Sequence, residues 1–140
     1  SKYSAADGAK YFKPGAIAFV RRLREKGIRL GVATASSPDF FMPILRAGGV
    51  DALFCEYCTV DEAGRNKGCP DIFLLIAKML GVAPAVGAVF EDNLAALRAA
   101  KGTGMFAVGV FDEASRAFHA EMEREADLFI RSFEDLRDIF

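Results

Sequence analysis

Short apolar, strand-like runs take turns with helix-period segments along this chain, and that alternation limits its fold more than any other feature. Pro14 suits a helix start, and Ile17, Phe19, Val20 and Leu23 give an apolar stripe through Lys26 that Gly27 ends. Ile28 to Ala33 reads as a buried strand, and Ser37-Pro38-Asp39 opens a helix that runs to Arg46 and stops at Gly48-Gly49. Leu53 to Cys58 is a second short strand, and Asp61 to Gly68 is a polar, glycine-containing loop. Pro70 starts a helix to Leu80, Val86 to Phe90 is a strand, and Leu94 to Lys101 is an alanine-rich helix closed at Gly102. Met105 to Val110 is a strand, Glu113 to Ala126 a charged amphipathic helix, Leu128 to Ile130 a last strand and Phe133 to Phe140 a last helix. Strands separated by helices imply βαβ units, hence an α/β fold of three layers: a parallel sheet with helices on both faces.

At 140 residues the length suits one domain, with no internal repeat or low-complexity tract. Apolar residues make up 52% and charged residues 26%, so the chain can bury a core and is not a disordered one. A net charge of −1 supplies no field to gather nucleic acid or anionic lipid, and neither is expected as a partner. No apolar stretch is long enough to cross a bilayer, and the opening SKYSAADGAKYF has no apolar signal core. Three cysteines, Cys55, Cys58 and Cys69, argue against a disulfide framework and fit a reducing cytoplasm. Cys55 and Cys58 form a C-x-x-C, but only Cys69 and His119 could complete a zinc set, and small buried apolar residues are the favoured reading.

Parallel sheets bind ligands beyond the carboxyl ends of their strands. Three places along the chain qualify. In Thr34-Ala35-Ser36-Ser37, a hydroxyl directly after a strand can grip a phosphate oxygen, with turn N–H groups assisting. The competing reading is that Ser36 or Ser37 only caps the helix at Pro38. Lys67 stands just before a proline-started helix, where a cation could neutralise a phosphate; as a loop lysine it could equally be solvated surface. Glu91-Asp92 puts adjacent carboxylates at a strand end, a repulsion that a hard cation such as magnesium relieves. The competing reading there is helix capping by Asp92.

Taken together, KPGAIAFVRRLREKGIRLGVATASS, NKGCPDIFLLIAKMLGV and VFEDNLAALRAAKGTGMFAVGV resemble the second, third and fourth motif regions of the haloacid dehalogenase superfamily. The likeness is to its β-phosphoglucomutase-like phosphatase branch and runs from about Tyr11 to the end. K-x-x-P-D-I-F, and E-D followed by an alanine-rich helix and G-M, carry most of it. The resemblance implies a Rossmann-like core over residues 13–140, with 1–12 a remnant of the cap domain or its linker. It implies that Thr34 binds phosphate, with Ala35 and Ser36 assisting, and that Lys67 steadies the phosphoryl group. It also implies that Asp92 and Glu91 hold magnesium, and that Pro70 and Asp71 shape the lysine loop. The implied activity is a magnesium-dependent phosphate-monoester hydrolase or phosphomutase that works on a small phosphorylated metabolite through an aspartyl-phosphate.

The chain departs from the family at its first motif, an aspartate nucleophile followed two residues later by an aspartate acid/base. No D-x-D occurs here; Asp7-Gly8 is the nearest echo, with Ala5 where the nucleophile would stand. Ala96 replaces a frequent glycine, and Gly68-Cys69 replace a usual Pro-Ala. The expected fold therefore lacks its first, central strand, and a segment before Ser1 is expected to supply it. The alternative function is an inactive family member that serves as a binding or assembly module. A receiver-like domain is a third class, but its early acidic cluster is not evident.

Overall fold

A computed structural model of the protein describes residues 12–60, 64 and 68–138. Ala16–Glu25 forms the first helix, α1, and buries Phe19 and Leu23 from the expected apolar stripe. Gly27 takes φ 79° as α1 ends, and Ile28 N–H returns to the Leu23 carbonyl at 3.1 Å. That closing turn uses the residues expected to start the first strand, so β1 is shorter, Gly31–Thr34. Helix α2, Pro38–Ala47, follows, and a 3-10 turn at Asp51–Leu53 leads to β2, Glu56–Thr59. The second strand thus begins three residues later than its apolar run suggested.

Helix α3 covers Asp71–Leu80 with Pro70 as its N-cap, and Gly81 ends it at φ 72°. A 3-10 turn, Pro84–Val86, takes residues expected in the next strand, leaving Ala88–Glu91 as β3. Helix α4 is Leu94–Gly102 and β4 is Phe106–Val110. The single helix expected over Glu113 to Ala126 is two pieces, a 3-10 stretch at Glu113–Phe118 and helix α5 at His119–Glu125. Strand β5, Leu128–Ile130, precedes a 3-10 turn at Phe133–Leu136, where Ser132 and Asp135 form a capping box.

Every pairing is parallel. β1 pairs β2, with Ala33 beside Cys58, and β3, β4 and β5 form a second sheet with β4 in the middle. Alternation along β4 builds the two faces. Val108 and Val110 meet Phe19, Leu23, Ile130 and Leu136 on the α1 side. Ala107 meets Leu94, Leu97 and Met122 on the α4 and α5 side. Helix α3 packs with α4 in a third cluster, through Ile76 and Ala77 against Ala96, Ala99 and Ala100. Helices therefore cover both faces, as the alternation required.

Among the described residues, no ladder joins β1 to β3. A cavity of about 590 Å³ lies there, lined by Gly31 and Ala33 of β1 and by Ala88, Val89, Phe90 and Glu91 of β3. Leu23, Phe73 and Ile76 complete an apolar wall. β1 is accordingly half-buried throughout, not buried as its composition suggested. The expectation of a core without its central strand agrees with this division. Residues 1–11, most of the segment assigned to a cap remnant, lie outside the described residues. Among the described residues no helix is long and apolar enough to cross a membrane.

Candidate functional site

The carboxyl ends of β1, β3 and β4 carry the groups that matter. Thr34 ends β1, and its Oγ1 accepts the Ser36 N–H at 3.0 Å. This short turn uses the Ser36 amide, so Ser36 can offer a ligand only its hydroxyl, while the Thr34 hydroxyl proton stays available to donate. Ala35 and Ser37 are exposed beside it. Ser37 is the N-cap of α2, yet its side chain makes no capping bond. The capping reading of this motif is therefore not realised through Ser37.

Glu91 ends β3, only 7% exposed, and lines the cavity that Ala33 of β1 lines from the other side. Thr34 and Glu91 thus close two strands that flank one space. Asp92 follows directly after the strand, and its side chain is 40% exposed. Asp92 does not cap α4. Asn93 does, accepting the Ala96 N–H on Oδ1 at 3.0 Å. The Asp92 carboxylate is left to other partners.

Those partners come from residues the sequence reading did not single out. Lys13, just before α1, places Nζ 3.3 Å from Asp92 Oδ2 and 3.0 Å from Asp112 Oδ1. The same ammonium donates to the Phe111 carbonyl at 3.1 Å. Asp112 lies beyond β4 as Asp92 lies beyond β3, so two adjacent strands each deliver a carboxylate to one rim. Ser115 Oγ donates to the Asp92 carbonyl at 2.6 Å. His119 sets Nε2 2.9 Å from the Asp112 carbonyl, its ring packed on Phe111 and Phe129. The strand-end rule that drew attention to Glu91-Asp92 applies equally to Asp112; Lys13 carries no comparable signal.

Lys67 lies outside the described residues. Cys58 is buried and Cys55 exposed. Among the described residues no three His, Cys, Asp or Glu side chains converge as a metal cage. What the rim does offer is hard carboxylate oxygen open to water, at Asp92 and Asp112. That donor set fits magnesium, which takes one or two carboxylates and fills its shell with water and phosphate oxygen.

A family model described as haloacid dehalogenase-like hydrolase matches residues 3–104. The chain is 30% identical over 123 residues to validoxylamine A 7'-phosphate phosphatase of Streptomyces hygroscopicus subsp. limoneus, covering 88% of this chain and 56% of that protein. It is 34% identical over 125 residues to beta-phosphoglucomutase of Bacillus subtilis, covering 88% and 50% respectively. Among solved structures it resembles CbbY from Rhodobacter sphaeroides in complex with phosphate. The TM-score there is 0.80 and the identity 32%, over 89% of this chain and 55% of that one. The chain thus spans 50% and 56% of the length of these two curated relatives.

Proposed function

The chain belongs to the haloacid dehalogenase-like hydrolase family, and on that premise we propose that it carries the phosphate- and metal-binding part of a magnesium-dependent phosphate-monoester hydrolase or phosphomutase. Its substrate is a small phosphorylated metabolite. One observation carries the reading: Asp92 and Asp112 bring carboxylates to one rim, both against the Lys13 ammonium at 3.3 and 3.0 Å, beyond the carboxyl ends of adjacent parallel strands. That is the rim where such sheets bind ligands.

In this reading the nucleophile comes from outside these 140 residues, on an apolar strand lying between β1 and β3. The cavity there supports it, being apolar in its walls and bordered by two parallel strands. An aspartate at the carboxyl end of that strand would emerge beside Thr34 and Glu91. Its oxygen attacks phosphorus as the ester P–O bond breaks. Water then takes the phosphoryl group in a hydrolase, or a second sugar hydroxyl takes it in a mutase. Thr34 donates its hydroxyl to an equatorial phosphoryl oxygen, with the Ala35 N–H and the Ser36 hydroxyl beside it. Lys67 adds a fixed positive charge to the same oxygens. Asp92 would hold magnesium, with Glu91 beneath it; when bound, the ion shields phosphoryl charge. The odd count of three cysteines supports a reducing compartment, the cytoplasm.

The test is phosphate release from a panel of sugar phosphates by the natural full-length protein. Turnover should require magnesium and fall about 10²-fold or more in Asp92→Asn. Turnover that survives both chelation and Asp92→Asn would refute the metal role. The absence of D-x-D from these residues favours a second reading, a non-catalytic module for phosphorylated ligands. Ligand binding by the full-length protein without any phosphate release would establish that one instead.

A further inference from the structure

Lys13 holds the position a cation should hold. Its ammonium pairs with both rim carboxylates and donates hydrogen bonds to Asp112 Oδ1 and the Phe111 carbonyl. Two carboxylates at one rim repel each other, and an ammonium relieves that repulsion as a divalent ion would. The Lys13 side chain is 28% exposed, so it reaches the rim from a partly covered position that borders water.

We propose that Lys13 is a built-in competitor of the metal: it pairs with the Asp92 carboxylate and gives that carboxylate up when magnesium binds. This rests on the metal reading of Asp92 given above. A unit positive charge left about 4 Å from an incoming divalent ion opposes it, and moving Lys13 away sacrifices its three contacts. Either way Lys13 weakens metal binding and keeps the empty rim neutralised. The competing role is purely structural, a clamp that ties the start of α1 to the end of β4. A clamp predicts lower thermal stability when lost and no change in metal affinity.

Manganese titration, followed by the electron paramagnetic resonance of the free ion, separates these outcomes. Lys13→Met should bind manganese about three- to thirtyfold more tightly than the wild type, the spread reflecting solvent screening at a half-exposed rim. Lys13→Arg should bind close to the wild-type value, because the positive charge is kept. Unchanged or weaker binding in Lys13→Met overturns the proposal. Asp92→Asn in both backgrounds tells the two readings apart. If it abolishes manganese binding while Lys13→Met changes nothing, the metal site stands and only the competition fails. If binding persists undiminished in Asp92→Asn, or the wild type binds no manganese, the metal reading fails and the competition with it. A measurement on the unaltered protein guards against a variant that does not fold. Acetic anhydride labelling of Lys13, read by peptide mass spectrometry, should become several-fold faster in saturating magnesium than in EDTA. Equal labelling in the two conditions overturns the exchange.

Discussion

Neighbouring residues of like character end up with different tasks at the end of β3. Glu91 is buried in the cavity wall, Asp92 faces Lys13, and Asn93 caps α4. The sequence made the acidic pair visible as an unrelieved repulsion, but it could not say which of Asp92 and Asn93 would cap, because both residue types do so equally well. Nor could it foresee Lys13, which meets Asp112 across 99 positions of chain. Asp127 offers a residue-level test of such distant bonds. Its carboxylate accepts the Ala107 N–H at 2.8 Å and pairs with Lys101 at 3.1 Å. The backbone N–H first, and Lys101 after it, hold its pKa below the usual carboxylate value. A depressed folded pKa means that the added stability is present above the unfolded value and is lost as pH falls through the folded one. Asp127→Asn should therefore flatten the acid limb of the melting temperature below the ordinary carboxylate range, with little change near neutrality beyond a lost surface ion pair. An acid limb as steep as the wild type's would mean that Asp127 is not among the groups that set it.

Elements were legible in order and type but not at their edges. Apolar periodicity placed five strands in the right succession, yet three of them start late because turns took their first residues. The turns at Ile28, Asp51–Leu53 and Pro84–Val86 are closed by backbone bonds of 2.9–3.1 Å, which leave no mark in a hydrophobic pattern. The largest error, one helix expected over Glu113 to Ala126, has a tertiary cause. Ser115 bonds back to Asp92 and His119 to Asp112, and these ties accompany a tighter 3-10 winding before α5 begins. The start of α1 shows the same dependence on distant chain. Phe133 N–H and Ser132 Oγ both donate to the Pro14 carbonyl, at 3.0 and 3.2 Å. Gly15 then sits at φ 78°, with a would-be Cβ 2.8 Å from the Glu134 backbone nitrogen. A methyl group there meets both a left-handed backbone and a main-chain atom that cannot swing aside. Gly15→Ala should cost about 1–3 kcal/mol, seen as a lower urea midpoint with an unchanged m-value. A midpoint equal to the wild type's would show that the junction between the chain's two ends yields freely.

At the scale of the molecule, two sheets share one layer of helices but are not joined by a ladder among the described residues. α3 and α4 span the division from one face through Ile76, Ala77, Ala96 and Ala100. The layer is therefore continuous in its side chains and broken in its backbone. Strand-helix alternation made the layers readable, and the resemblance to longer proteins made the gap readable; neither could show that helix packing holds the halves together across it. The consequence is an uneven distribution of protection. β4 has a partner on each side and four of its five residues are buried, so opening it requires disrupting the three-stranded sheet. Among the described residues β1 pairs with β2 alone, and its residues are all half-buried beside the cavity. Backbone amides of an edge strand on the open side exchange with solvent without global unfolding. Hydrogen exchange of this chain should therefore show Phe106–Val110 among the slowest amides and Gly31–Thr34 faster by well over an order of magnitude. In a longer form of the protein whose added segment fills the cavity as a strand, protection of β1 should rise toward that of β4. Equal protection of β1 and β4 in this chain alone would mean that its free edge is already satisfied and that the cavity does not receive a strand.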